Sequence, residues 1–130
     1  MYWNGWTLDR IVVLFVAAAF VFIGIQVTMS HYRQNFHHKA MVVPVVASPL
    51  FVIGGLAFVF LNQMWLFYLF QIFMWIGVVA GLIGFYFHFH GVGVRVGGYA
   101  GRNFLIGPPV VMPVVFSAMS GLGLLALYWR

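Results

Sequence analysis

Charged residues are missing from two long stretches of the chain, and these gaps set its plan. No Asp, Glu, Lys or Arg occurs from Ile11 to Ser30, and none between Lys39 and Arg95. The first run matches the roughly 20 residues that cross a bilayer core. The second is too long for one crossing and must turn back, and the polar pair Asn62-Gln63 supplies the turn. A last apolar run extends from Phe104 to Trp129. The pattern predicts an all-α integral membrane protein, a single transmembrane domain over 1–130, with helices at about 8–30, 40–61, 64–87 and 104–129. Four helices of this kind form a bundle.

Aromatic and basic residues give the ends of those helices. Trp and Tyr collect at membrane interfaces. Tyr2, Trp3, Trp6, Trp65, Tyr68, Tyr128 and Trp129 all fall at the face that carries both termini and the Asn62-Gln63 turn, and Trp75 alone of the tryptophans lies mid-span. The other face carries Arg33, Lys39, Arg95 and Arg102, against Arg10 and Arg130 at the terminal face, where Asp9 offsets part of the charge. The positive-inside rule then places both loops in the cytoplasm and both termini outside. The apolar run from Ile11 exceeds a signal h-region and no small-residue cleavage site follows it, so Met1-Tyr2-Trp3 is expected to stay in the working protein.

Composition closes off several classes of function. Hydrophobic residues make up 65% and charged residues 5%, whereas a soluble domain carries about 25% charged residues. The chain has no cysteine, which removes disulfides, thiolate ligands and iron–sulfur ligation. Asp9 is the sole carboxylate side chain, so paired-carboxylate hydrolysis, EF-hand calcium binding and di-iron carboxylate sites are excluded. It lies on the opposite face from all five histidines, so no nucleophile–base–orienter set can form. A stand-alone enzyme is not expected, and no catalytic residue is predicted. Nucleic acid is not expected as a partner. The bilayer, further subunits of a membrane complex and a quinone are.

Two short segments resemble one another within the chain. Pro44-Val45-Val46-Ala47-Ser48 precedes Gly54-Gly55, and Pro113-Val114-Val115-Phe116-Ser117 precedes Gly121 and Gly123. Each follows a helix that ends in a histidine and a basic loop. This pattern points to two parallel-repeat helical hairpins, related by an axis along the membrane normal.

The candidate chemistry lies in Gly77 to His90, GVVAGLIGFYFHFH. Gly77, Gly81, Gly84 and His88 fall at i, i+4, i+7 and i+11, one stripe of a helix. Gly24, Thr28 and His31 repeat the device in the first helix. A groove of glycines closed by an imidazole suits a flat ligand or a closely packed helix. Haem b in a membrane bundle needs two imidazoles on facing helices and small residues where the porphyrin lies against backbone. His31 and His88 are the predicted axial ligands, His38 and His90 their substitutes, Gly24, Gly77, Gly81 and Gly84 the cradle, and Arg95 a partner for propionates. The function predicted is a small cytochrome b-like electron-transfer subunit, non-catalytic within a membrane oxidoreductase. The alternative is a cofactor-free structural or assembly subunit, with glycines for packing and histidines for the interface. Copper at a histidine–methionine cluster that adds Met29, His37 and Met41 is a further option.

Glycines Gly91 to Gly101 read as an irregular loop, since the third glycine of a dinucleotide fingerprint falls on Val96 and no strand precedes it. Gln26, Gln71, Ser48, Ser117 and Ser120 are expected to hydrogen-bond across helices.

Overall fold

Each charge-free run folds as helix, because within a bilayer every backbone polar group must be satisfied inside its own segment. The computed structural model describes residues 2–129, so Met1 and Arg130 lie outside the described residues. Helix α1 spans Leu8–Arg33, with Asp9 in its first turn and Arg33 in its last, the signs that suit the helix dipole. Asn35 and Phe36 both adopt left-handed φ, 59° and 46°, and reverse the chain. A 3-10 turn at Lys39–Met41 leads into α2, Val42–Leu61. Asn62 ends α2 at φ 53° and ψ 46°, a left-handed conformation that asparagine tolerates better than most residues. Then follow α3 at Met64–Arg95, the short α4 at Gly101–Ile106 and α5 at Val111–Tyr128. Four of these segments, α1, α2 with its 3-10 lead, α3 and α5, are long and apolar enough to cross a membrane.

Two boundaries differ from the sequence expectation. Helix α3 does not stop near residue 87 but runs on to Arg95, 32 residues in all, or about 48 Å at the usual rise. The stretch from Gly91 to Arg95 is therefore helix, and the glycines that read as breakers receive a chain folded back over them. Gly91 lies against Pro108 and Gly93 under the Tyr99 ring. The reversal itself uses Gly97 and Gly98, at φ +95° and +127°. The last span begins at Val111 rather than 104, because Phe104 to Ile106 belong to α4 and Gly107 to Val110 separate it from α5.

Helix α1 packs on α2 and α5, and α3 packs on the same two. The bundle is therefore four-cornered, with α1 and α3 at opposite corners. Its core is aromatic: Phe20, Phe51, Phe58 and Phe70 are fully buried beside Met74, Leu66 and Val16. Phe20 meets Phe51 and Phe116 edge-on, at centroid distances of 5.1 and 5.2 Å. Phe15, Phe22, Ile53, Phe60 and Leu82 point outward, an apolar exterior consistent with contact with lipid.

The predicted repeat has a counterpart in the contacts. A Cβ on Gly24, seven residues before His31, would lie 2.9 Å from the Ser48 Cβ. A Cβ on Gly81, seven residues before His88, would lie 2.5 Å from the Ser117 Cβ. Ser48 and Ser117 each stand four residues after the proline of the repeated segment. The α1–α2 hairpin and the α3–α5 hairpin thus close on the same glycine-to-serine contact.

The terminal end is held by residues whose role the sequence did not reveal. Asn62 Oδ1 accepts hydrogen bonds from the Tyr2 and Trp3 amides at 2.9 and 2.5 Å, and Asn62 Nδ2 donates to the Trp3 carbonyl at 2.9 Å. Trp3 is only 2% exposed, and its indole donates to the Phe58 carbonyl at 2.9 Å. Arg10 donates twice to the Val59 carbonyl, at 3.0 and 2.7 Å, and lies 4.0 Å from the Trp6 ring centre. These bonds satisfy carbonyls that the last turn of α2 leaves without helical partners.

Candidate functional site

The site is built where each hairpin turns at the end away from the termini. Glycine at 24 and 81 lets the backbones within a hairpin come close, since no side chain stands between them. That approach carries the entry into α2 up to His31 and the entry into α5 up to His88. His31 Nδ1 donates to the Met41 carbonyl at 2.8 Å, and His88 Nδ1 donates to the Pro109 carbonyl at 2.6 Å. A carbonyl oxygen can only accept, so in each case the ring carries its hydrogen on Nδ1. In the neutral ring Nε2 then keeps its lone pair. His31 is buried and His88 half-buried.

The two imidazoles, one from each hairpin, stand with ring centres 6.3 Å apart and planes inclined at 55°. This separation can be compared with a metal site. Metal–imidazole bonds of about 2 Å on opposite sides of one ion place the ring centres about 6 Å apart. Two neutral nitrogen donors, each with its other nitrogen on a backbone carbonyl, are the usual form of a histidine ligand pair. The ring-centre spacing thus matches that of two imidazoles on one ion, and each ring keeps Nε2 as its donor nitrogen.

The predicted cradle is filled by protein. A Cβ on Gly77 would meet the Ser120 Cβ at 2.8 Å and Phe51 at 2.9 Å. One on Gly81 would meet Ser117 backbone nitrogen at 2.6 Å and the Pro113 carbonyl at 2.8 Å, and one on Gly84 would meet Pro113 at 3.3 Å. Gly24 faces Ser48 in the same way. The stripe is a seat for α5 and is not a surface open to a porphyrin. Its counterpart in α1 seats Ser48 of α2 at Gly24, while Gly24 and Thr28 also border an apolar groove with Val45 and Pro49. Glycine spacing defines a close approach without saying what approaches, and here the neighbouring helix does. A flat group bound by the histidines would have to lie in the seam between the hairpins instead.

The remaining candidates do not join the pair. His38 Nδ1 accepts from the Ala40 amide at 3.1 Å and its ring packs 5.1 Å from Phe87, so it caps the 3-10 turn. His90 stacks on Tyr86 with centroids 5.8 Å apart and planes at 10°. With α3 helical through this stretch, His88 and His90 project in different directions. Arg95 contacts His37 Nε2 at the exposed end of α3, two turns beyond His88. Met29 is exposed, and among the described residues no three His, Asp or Glu side chains converge on a metal position. The larger histidine–methionine cluster does not form; the pair does.

Polar residues within the spans divide unevenly. Ser117 donates across helices to the Val78 carbonyl at 3.0 Å, and Gln71 donates to the Tyr128 hydroxyl at 2.6 Å, joined there by the Trp75 indole at 3.0 Å. Ser48 and Ser120 instead donate to carbonyls four residues back in their own helices, and Gln26 reaches Ser30 on α1. Their smallness, not their hydroxyls, is what the facing glycines require. The Met41 and Pro109 carbonyls went unforeseen because a backbone acceptor leaves no mark in residue type. No family model matches this chain, and neither a curated protein nor a solved structure resembles it to a significant degree.

Proposed function

We propose that this chain is a small membrane subunit of a redox complex that holds haem b between His31 and His88 and relays electrons between a peripheral partner and the quinone pool. The observation that carries the reading is the pair itself. Two histidines 57 positions apart in sequence, on opposite hairpins, have ring centres 6.3 Å apart, close to the spacing of two imidazoles bound on opposite sides of one metal.

Haem bound there would supply one-electron chemistry, and His31 and His88 would hold it. The chain's own residues do the holding. His31 and His88 present Nε2, and the Met41 and Pro109 carbonyls fix the tautomer that makes those nitrogens basic. Arg33, Lys39, Arg95 and Arg102 give this end of the bundle a positive rim, suited to propionates or to an acidic partner, and the positive-inside rule directs it to the cytoplasm.

A cofactor-free packing subunit is the second reading, favoured by the filling of every stripe glycine by a neighbouring helix. An absorbance spectrum separates the two. Protein purified from membranes with ample haem supply and its native partners is expected to show a b-type α-band on dithionite reduction. His31→Ala and His88→Ala should each abolish the low-spin signal, with partial recovery in exogenous imidazole, while His37→Ala should keep it. Haem-free wild-type protein would overturn the redox reading in favour of the packing one.

A further inference from the structure

Both ligand candidates are anchored in the same way, although different segments supply the anchors. We infer that the Met41 and Pro109 carbonyls are positioning groups that lock His31 and His88 as Nδ1–H tautomers, and that Gly24 and Gly81 are the spacers that keep those carbonyls in reach. The metal-binding use of this lock rests on the reading above. The lock itself is a property of the polypeptide and exists without any cofactor.

A neutral imidazole carries its one hydrogen on either Nδ1 or Nε2. An unconstrained histidine side chain in water favours the Nε2–H form, which blocks the nitrogen farthest from the backbone. A carbonyl within 2.8 Å of Nδ1 reverses this, because only Nδ1–H can satisfy it. His88 has the same restraint at 2.6 Å. An unprotonated Nε2 is thereby built into each neutral ring before any ligand arrives.

The anchors depend on helix spacing. Met41 and Pro109 lie just before α2 and α5, so their carbonyls move with those helices. Within each hairpin a glycine-to-serine contact sets that spacing, Gly24 with Ser48 and Gly81 with Ser117, joined in the second hairpin by Gly84 against Pro113 and Gly91 against Pro108. At Gly81 the obstacles to a methyl group include the Ser117 nitrogen at 2.6 Å and the Pro113 carbonyl at 2.8 Å. Backbone cannot rotate aside as a side chain can, so α5 must withdraw and take the Pro109 carbonyl with it. At Gly121, in α5 itself, a methyl group meets nothing within 4 Å, which makes it the control.

The test is the nitrogen NMR spectrum of histidine-labelled full-length protein in lipid, prepared without haem or added metal. His31 and His88 should report Nδ1–H, assigned by their loss in His31→Gln and His88→Gln. Gly81→Ala should move the His88 signal toward Nε2–H and leave His31 unchanged, Gly24→Ala should do the reverse, and Gly121→Ala should change neither. In haem-loaded protein the Gly81→Ala change should weaken cofactor retention by about 10–100-fold, the usual effect of losing an outer-shell partner. Nε2–H signals for the two histidines in the wild-type protein would overturn the inference even if every variant failed to fold. So would a Gly81→Ala protein that keeps His88 in the Nδ1–H form. Nδ1–H signals in a protein that never takes up haem would support the lock and refute the redox reading, so the two failures are distinguishable.

Discussion

Asn62 should be the most sensitive polar position in the chain. It makes three hydrogen bonds to the N-terminal segment, two through Oδ1 and one through Nδ2. At about 0.5–1.5 kcal/mol net for each, their loss amounts to about 1.5–4.5 kcal/mol. The backbone adds a second contribution, since φ 53° and ψ 46° are left-handed. Alanine in that region costs about 1–2 kcal/mol that glycine does not. Asn62→Ala should therefore destabilise by roughly 2.5–6.5 kcal/mol, and Asn62→Gly should recover the conformational share but none of the hydrogen bonds. Reversible unfolding in mixed micelles, titrated with SDS and followed by far-UV circular dichroism, ranks the proteins. Quenching of tryptophan fluorescence by a soluble quencher reports whether Trp3, 2% exposed in the folded chain, has come free. The expected order of stability is wild type, then Asn62→Gly, then Asn62→Ala, with stronger quenching in both variants. Wild-type midpoints and unchanged quenching in both would show that the clasp carries no stability.

The glycine series gives a second ordering. Gly77→Ala and Gly81→Ala should each cost about 1–3 kcal/mol as overpacked contacts, whereas Gly121→Ala, with nothing within 4 Å, should be neutral or stabilise by up to about 1 kcal/mol through helix propensity. The same micelle titration measures this, and equal effects at the three positions would mean that α5 does not seat on the stripe. Topology gives a third test: cysteines placed at Asn4 and at Arg102, both exposed, should be labelled by an impermeant reagent from opposite sides of sealed vesicles. Labelling of both from one side would refute the four-span arrangement.

The spans were legible because a bilayer leaves few alternatives to uninterrupted apolar helix, and Asn62-Gln63 breaks the longest run where α2 ends. The far end of α3 was not. Gly91 and Gly93 have the composition of a loop, and only Pro108 and Tyr99, folded back from later in the chain, make them helix-compatible packing positions. Sequence spacing singled out His31 and His88 because each stands seven residues after a glycine. It misread what the glycines receive. The stripe and the P-V-V-x-S repeat are one feature seen from its two sides: the serine four residues after each proline is the group that enters opposite each glycine. Read together, Gly24 with Ser48 and Gly81 with Ser117 predict two closed hairpins. Read separately, the glycines suggested an open cradle and the repeat only a relation between the hairpins.

The distribution of contacts between the hairpins bears on what the ligand substitutions can test. Ring contacts that join one hairpin to the other include Phe20 with Phe116, Phe51 with Phe73, Phe58 with Phe70 and Tyr2 with Phe67. All lie at mid-depth or toward the terminal end, where the Asn62 clasp also sits. At the histidine end the inter-hairpin contacts are of a different kind: His31 with His88, His38 with Phe87, and Arg95 with His37. Aromatic burial of the first set provides the larger share of the cohesion. A single imidazole removed from the opposite end leaves that share intact. His31→Ala and His88→Ala should therefore fold and insert like the wild type, so that loss of a low-spin signal in either variant reports lost ligation and not a collapsed bundle. The stability contributed at one end of the molecule is what allows the other end to be tested as chemistry.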